Sequence, residues 1–104
     1  MALNDRGYLY NKLEVNTYAP AKSGIYGLYR GERWIYFGEA INIRDRLIQH
    51  IDRDRIENPC ISLAAPTSFC FAEVVGGKEA RVAAQDWWIL ACQGTHQLCN
   101  QRLG

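Results

Sequence analysis

Residues 24–40 read GIYGLYRGERWIYFGEA, in which two short apolar runs lie on either side of a polar stretch that contains glycine. Aromatic and β-branched residues favour strands, and a short glycine-containing stretch between two such runs is typical of a hairpin turn. The sequence therefore predicts a β-hairpin over residues 24–38. Each strand carries one tyrosine, Tyr26 in the first and Tyr36 in the second.

The length of the turn decides whether these two tyrosines share a face. A turn of three residues, 31–33, fixes three cross-strand pairs: Tyr29 with Ile35, Leu28 with Tyr36, and Tyr26 with Gly38. Because side chains alternate along a strand, Tyr26 and Tyr36 then project from one face as diagonal neighbours, about 7–8 Å apart. Gly38 leaves open space beside the Tyr26 ring. A two-residue turn would place the rings on opposite faces, and the competing interpretation is an aromatic pair that only covers the core.

The rest of the chain predicts an α+β fold. Five further segments follow from spacing and composition: a short strand or ordered arm over 1–22, a helix over 42–54, a loop over 57–67, a strand over 68–75, and a helix over 79–92 that Gly94 ends. The order ββαβα, with room for one element in front, predicts a small mixed sheet of three or four strands with flanking helices. With 104 residues, we expect a single domain over 1–104.

Composition limits the classes of function. The formal net charge is +1, so the chain is not a basic DNA-coating protein, and nucleic-acid contact requires a local cluster of Arg and Lys. No apolar run approaches the length of about 20 residues that a membrane span needs, and the N-terminus lacks signal-peptide order. The cysteines have no zinc-binding spacing: Cys60, Cys70, Cys92 and Cys99. Free thiols in a reducing cytoplasm are favoured over disulfides in an exported protein.

The first predicted helix carries a charged flank. Asn42 suits the N-cap, and an apolar stripe follows at helical spacing: Ile43, Leu47, Ile48 and Ile51. Arg46 and His50 border that stripe one turn apart, with Arg53 beyond them. Arginine offers a bidentate fork for phosphate, and histidine exchanges a proton near neutral pH. The competing interpretation is a solvated charged flank.

The second predicted helix has alanines and tryptophans at core spacing: Ala80, Ala83, Ala84, Trp87, Trp88 and Ala91. This pattern predicts close packing of these six residues on the sheet. Gln85 lies on one edge of the predicted face, one turn after Arg81, and the acidic residues Glu79 and Asp86 lie on the other edge.

GIY at 24–26, YFG at 36–38 and NIRDRLIQH at 42–50 resemble the GIY-YIG nuclease superfamily, which includes nuclease domains of phage homing endonucleases and of the bacterial excision-repair endonuclease. The resemblance covers residues 24–100. It implies catalytic roles for Tyr26, Tyr36, Arg46 and His50. One tyrosine helps to remove a proton from the attacking water, Arg46 holds the scissile phosphate, and His50 matches a histidine found in a subset of the family. Asn100 matches the asparagine that closes the domain, and Gly38 belongs to the second motif.

The family hydrolyses DNA phosphodiester bonds with one divalent ion, usually magnesium or else manganese, which a glutamate holds. The resemblance places Gln85 at that position, and Glu39 follows the second motif. Three explanations stay open: a laboratory Glu-to-Gln change made to trap a bound substrate or suppress toxicity, a natural loss of activity in a protein that only binds, or a metal held by Glu39 with Gln85 secondary. Magnesium prefers anionic oxygen, so a neutral amide should bind it weakly.

The leading interpretation is a magnesium-dependent endonuclease domain acting on DNA in the cytoplasm, with activity reduced or lost through Gln85. A catalytically silent module on the same fold, binding nucleic acid or a protein, is the alternative, and a small-molecule pocket between the hairpin and the tryptophan helix is a remote third. Without a domain that reads sequence, we expect non-specific or structure-specific action, or specificity supplied by a partner protein or a homodimer.

Overall fold

The computed structural model describes residues 7–92 and 98–100, which form a small α+β domain with a four-stranded sheet and four helices. The elements follow in chain order: β1 (Tyr8–Leu9), α1 (Lys12–Tyr18), β2 (Gly24–Arg30), β3 (Arg33–Ala40), α2 (Ile43–Glu57), α3 (Pro59–Ala64), β4 (Ser68–Glu73) and α4 (Gly77–Cys92). The α+β class is therefore confirmed, whereas the order from β2 onward is ββααβα rather than the predicted ββαβα, because α3 lies between α2 and β4.

The strand order in the sheet is β1-β4-β2-β3, and each neighbouring pair is antiparallel. The prediction of a mixed sheet is therefore wrong for the part of the chain that the structure describes. The reason lies in the connection from β3 to β4. β4 pairs with β2 rather than with β3, so β3 and β4 run in the same direction but are separated by the strand between them.

Two helices were not predicted. The N-terminal segment adds both β1 and α1, and Asn11 caps α1 by accepting a hydrogen bond from the backbone N–H of Glu14. The predicted loop at 57–67 contains α3, which begins at Pro59, a position where the missing N–H of proline costs nothing. Prolines are typical of loops, but Pro59 stands at the start of a helix here.

The hairpin turns through two residues rather than three, because Arg30 pairs with Arg33. Gly31 provides a positive φ of 62° in this turn. Ile35 is then an extra residue on β3, so that Tyr29 pairs with Trp34, and the predicted Tyr29–Ile35 pair is wrong. A β-bulge of this kind shifts the register of one strand by one residue.

The bulge restores the predicted register nearer the site. Leu28 pairs with Tyr36 and Tyr26 pairs with Gly38, as a three-residue turn would also require. The rings of Tyr26 and Tyr36 therefore lie on one face, with their centroids 6.2 Å apart. The two-residue turn and the bulge together give the same facing as the predicted turn.

Each face of the sheet has its own core. On one face, α1, α2 and α3 cover Tyr26 and its neighbours, and the buried contributors from these helices are Val15, Ile43, Leu47 and Ile61. On the other face, α4 packs against Ile25, Phe37 and Cys70. The apolar stripe predicted for the first helix is confirmed, since Ile48 and Ile51 also pack on the first core.

The packing face of α4 differs from the prediction. Trp87 is 59% exposed and Leu90 is 62% exposed. The buried positions are instead Arg81, Ala84, Gln85, Ile89 and Cys92. This face is rotated by one residue, about 100° around the axis, relative to the predicted one. The alanine and tryptophan spacing fits either face, and the packing against Phe37 and Ile25 selects the second.

The segment 98–100 lies along β3. The Cys99 N–H donates to the Ile35 carbonyl at 2.7 Å, and a disulfide joins Cys99 to Cys60 at the start of α3. The prediction of free thiols is therefore wrong for this pair, whose separation of 39 residues in the chain hides its proximity in space. Cys70 and Cys92 are buried and do not take part in a disulfide. Gly94, predicted to end the last helix, lies outside the described residues.

Within residues 7–92 and 98–100, no helix combines the length and the apolar character that crossing a bilayer requires.

Candidate active site

A cleft of about 490 Å³ lies where α2, the end of β3 and α4 meet. Its lining includes five residues singled out from the sequence: Tyr26, Tyr36, Glu39, Arg46 and Gln85. The lining also includes other polar residues: Asn42, Asp45, Gln49, Lys78 and Arg81. The topology thus gathers side chains that are up to 59 positions apart in sequence around one cleft.

A chain of hydrogen bonds runs from the cleft into the core. The Tyr26 hydroxyl lies 2.6 Å from Nε2 of His50. On the other side of the ring, Nδ1 of His50 lies 2.8 and 2.9 Å from the two carboxylate oxygens of Asp54. Asn58 donates from Nδ2 to Oδ1 of Asp54 at 2.7 Å. Tyr26, His50 and Asp54 are all buried, so water competes little for these bonds.

Protonation states in this chain follow from burial. Burial, reinforced by the neighbouring Tyr36, raises the pKa of Tyr26 well above 10, and the charge and hydrogen bonding of Arg46 oppose that rise without reversing it. Burial also lowers the pKa of His50 below 6.5, although the Asp54 carboxylate acts in the opposite direction. At neutral pH these pKa shifts favour a neutral Tyr26 hydroxyl beside a neutral His50 imidazole.

Arg46 stands beside this chain on the open side. It lies one helical turn before His50 on α2, lines the cleft, and donates from one guanidinium nitrogen to Gln49 Oε1 at 3.0 Å. The helix start that positions it is well capped, because Asn42 Oδ1 accepts the backbone N–H of Asp45 at 3.0 Å. The half-buried guanidinium of Arg46 therefore presents hydrogen-bond donors to the cleft.

Gly38 has no side chain, and this leaves the space that the Tyr26 ring occupies. A Cβ built at position 38 would overlap the Tyr26 hydroxyl and ring. The expected open space beside Tyr26 is thus occupied by that ring itself. Any side chain at position 38 would displace the hydroxyl from His50, which explains in steric terms why glycine ends the YFG stretch.

On the side of the cleft that α4 forms, the charged side chains are ion-paired with Glu39. Arg81 Nε donates to Glu39 Oε1 at 2.9 Å, and Lys78 donates to Oε2 at 3.4 Å. Burial tends to raise the pKa of Glu39, but these hydrogen bonds and charges outweigh it and lower the pKa. Gln85 is buried, and its Nε2 lies 3.4 Å from an oxygen of Asp86. The Glu39 carboxylate is therefore ion-paired with Arg81 and Lys78, and the buried amide of Gln85 carries no charge.

A resident magnesium ion does not fit the side chains of this cleft. Gln85 offers a neutral oxygen, Glu39 is held by Arg81 and Lys78, and Asp45 is exposed at the start of α2. Among the described residues, no three His, Cys, Asp or Glu side chains form a group that could hold a metal. Magnesium draws its affinity from anionic oxygen, and neither the neutral Gln85 nor the ion-paired Glu39 presents one to it.

Other predicted residues lie apart from the cleft. Asn100 forms two hydrogen bonds with the backbone of Phe37, accepting at 3.0 Å and donating at 2.7 Å, and so braces β3 from its outer side. Glu79 is exposed. His50 lies behind Tyr26 and does not line the cleft.

The sequence reasoning missed Asp54 and Asn58. A signal for them exists, because His50, Asp54 and Asn58 follow one another at intervals of four, the spacing at which helix residues face each other. It also missed the pairing of Glu39 with Arg81 and Lys78, for which residue spacing gives no signal, since it joins two elements 39 or more positions apart.

No protein-family model matches the chain, and searches of curated proteins and of solved structures find no match.

Proposed function

We propose that this chain is an endonuclease domain of the GIY-YIG type that hydrolyses DNA phosphodiester bonds, and that its cleavage is weak or absent while position 85 holds glutamine. One observation carries the proposal: an arginine and a buried Tyr–His–Asp hydrogen-bond chain meet at a single cleft. A guanidinium that can hold an anion beside a prepared proton acceptor is what attack of water on a phosphodiester requires.

The cationic side chains that line the cleft are the candidates for binding phosphate. Arg46 is on the α2 side, and Lys78 and Arg81 are on the α4 side. Glu39 already neutralises part of the charge of the α4 pair. Arg46 therefore takes the scissile phosphate, and its planar fork stabilises the charge that grows on the phosphoryl oxygens as water attacks.

Proton removal passes through Tyr26 without a free tyrosinate. Because burial raises the pKa of Tyr26, its ionised form is scarce near neutral pH. The hydroxyl instead takes a proton from the attacking water as it gives its own proton to Nε2 of His50, 2.6 Å away. The imidazolium that forms is stabilised by Asp54. Tyr36 lies beside the same ring, its centroid 5.4 Å from that of His50, on the wall of the cleft.

Magnesium, in the family, supplies charge neutralisation at the phosphate and the leaving oxygen. Phosphate binding by Arg46 and proton transfer through Tyr26 and His50 use only side chains of this chain. The present cleft does not fit the ion, so charge neutralisation by a metal is missing, and we attribute this to the neutral amide at position 85.

A second function is favoured by the α4 wall. The neutral Gln85 and the ion-paired Glu39 suit a cleft that binds a nucleic-acid backbone and leaves it intact. On this alternative the chain is a catalytically silent module that binds nucleic acid or a protein. On either, target choice would come from a partner protein or from a homodimer.

The test compares the chain with its Gln85→Glu form on supercoiled plasmid with magnesium. We expect Gln85→Glu to raise cleavage by at least about a hundredfold, the usual magnitude for a restored charge-stabilising contact. Ala83→Glu is the matched control, because it adds the same charge to an exposed position on the same helix. DNA binding without cleavage in both forms would favour the silent module. Neither binding nor cleavage by the folded proteins would refute the endonuclease and the DNA-binding form of the silent module, and would leave only a module that binds another partner.

A further inference from the structure

Asp54 lies on the side of His50 that faces away from the cleft. It is 5% exposed, and its two oxygens both lie within 2.9 Å of Nδ1 of His50. A buried carboxylate is costly unless it is paired and hydrogen-bonded. His50 in α2 and Asn58, the residue that follows α2, supply those partners from one turn before and one turn after Asp54.

We propose that Asp54 is a positioning residue that holds His50 in the tautomer with its proton on Nδ1, so that the Nε2 lone pair faces the Tyr26 hydroxyl. The role in proton transfer rests on the proposed function, but the tautomer does not. A carboxylate only accepts hydrogen bonds, so Nδ1 must carry the proton that it receives. In a neutral imidazole Nε2 is then the acceptor, which is the form that can take a proton from Tyr26.

Asn58 sharpens the effect of a substitution at position 54. Its Nδ2 donates to Oδ1 of Asp54 at 2.7 Å. In Asp54→Asn, this donor holds the new amide with its oxygen toward Asn58 and its NH₂ group toward Nδ1 of His50. Nδ1 then has to accept, and the imidazole proton moves to Nε2. The hydroxyl of Tyr26 loses its acceptor, although the shape of the site hardly changes.

Asn58 can be removed without loss of a cap. It precedes α3, but its side chain makes no capping hydrogen bond there. In the double variant Asp54→Asn/Asn58→Ala, the amide at position 54 is free to turn its oxygen to Nδ1. We therefore expect the double variant to regain part of the Nδ1–H tautomer that Asp54→Asn loses.

A second cavity, of about 340 Å³, opens beside the carboxylate on this side. Its lining includes His50, Asp54, Arg55 and Ser62, together with Tyr10, whose buried hydroxyl has no hydrogen-bond partner among the described residues. Removal of the Asp54 carboxyl would extend this cavity to Nδ1. A small carboxylate from solution could then occupy the vacated position.

The decisive measurement is the tautomer of His50 by long-range ¹H–¹⁵N correlation NMR of the whole chain. His96→Gln assigns the signals, because the chain has two histidines. We expect Nδ1–H in the unsubstituted chain and Nε2–H in Asp54→Asn. Asp52→Asn is the matched control: it removes an exposed carboxylate of the same helix, paired with Lys12 at 2.6 Å, and should leave the tautomer unchanged.

Activity gives the second readout. In the Gln85→Glu background, we expect Asp54→Asn to lower the cleavage rate by about a hundredfold or more, with DNA affinity unchanged, since a misplaced proton acceptor removes general-base catalysis. Formate should restore part of the rate to Asp54→Ala and not to His50→Ala. If no form cleaves DNA, the proposed function fails, while the NMR result still decides the tautomer.

Two results would overturn the proposal. One is Nε2–H in the unsubstituted chain, a measurement that needs no variant and so does not depend on how Asp54→Asn folds. The other is retention of Nδ1–H in a folded Asp54→Asn, because Asp54 would then not be what fixes the ring.

Discussion

The α2 wall and the α4 wall of the cleft differ in how their polar groups are used. On α2, Arg46 faces the cleft, and His50 connects Tyr26 to a buried carboxylate. On α4, the two cations are shared with Glu39, and Gln85 carries no charge. The comparison separates two requirements of phosphodiester hydrolysis. On the proposed function, Arg46 and the Tyr26–His50 pair would meet the first requirement, which is to hold the anion and accept a proton. The α4 residues that line the cleft, Lys78, Arg81 and Gln85, include no carboxylate that could meet the second, which is to bind a metal.

The largest effect is expected from the α2 wall. Arg46→Ala, in the Gln85→Glu background, should lower plasmid cleavage by about a hundredfold to a thousandfold, because one charge contact in the transition state contributes ~3–4 kcal/mol. Arg46→Lys should recover only part of the rate, since the bidentate fork is lost. The free energy of unfolding in urea should change little, because Arg46 borders the core without filling it.

Arg53→Ala is the control for Arg46, since Arg53 is an exposed arginine two turns further along α2. It should leave the cleavage rate unchanged. If Arg46→Ala cleaves saturating DNA at nearly the parent rate, Arg46 is not part of the site. Only the Tyr26–His50–Asp54 hydrogen-bond chain would then remain as the proposed contribution of the α2 wall.

The next effect concerns the missing charge of the α4 wall. Gln85→Glu should bind magnesium at least about tenfold more tightly than the present chain, measured by titration calorimetry, because a carboxylate replaces a neutral amide. The fold should be retained, since the two side chains are nearly isosteric. Equal magnesium affinity of the two forms would show that the residue at position 85 does not bind the metal.

A smaller effect is expected from Glu39→Gln. Release of Arg81 and Lys78 from the carboxylate should raise DNA affinity severalfold at low salt and steepen its salt dependence, because more phosphate charges are then neutralised. Cleavage by the Gln85→Glu form should change little. Glu79→Gln, at an exposed position of α4, controls for the change in net charge. Loss of residual cleavage in Glu39→Gln would instead assign the metal to Glu39.

The smallest effect is a pH dependence of stability that arises on the α2 wall. Burial lowers the pKa of His50 in the folded chain below 6.5, its value in an unfolded chain. The unfolded state therefore binds more protons in this window, so the free energy of unfolding should fall as the pH drops below 6.5 through the folded pKa. In urea titrations, His50→Gln should show a flatter slope than the parent between about pH 5 and 7. Identical slopes would contradict a buried neutral His50.

The hairpin shows why part of the local structure could be predicted and part could not. Apolar runs and a glycine-containing turn predicted two strands and the facing of Tyr26 and Tyr36, and the facing is confirmed. The turn and the bulge at Ile35 were not predicted, because a two-residue turn with one extra residue gives the same pairing near the site as a three-residue turn. Sequence patterning constrains which face a residue takes more strongly than the path of the chain between strands.

The helices give the same lesson in another form. The apolar stripe of α2 predicted which side of the helix is buried, because branched apolar residues at helical spacing define a single face that packs on the core. On α4, small alanines and amphipathic tryptophans fit two adjacent faces. Contacts with the sheet selected the face that buries Arg81 and Gln85 and leaves Trp87 exposed.

The sequence by itself determined the α+β class, the two strands of the hairpin, and the capped helix that carries Arg46 and His50. These depend on local periodicity and capping, which act over a few residues. Only the tertiary structure decided the pairing of Glu39 with Arg81 and Lys78, the disulfide between Cys60 and Cys99, and the place of Gln85 in the cleft. Each of these joins side chains that are distant in sequence, and their approach is fixed by how the helices pack on the two faces of the sheet.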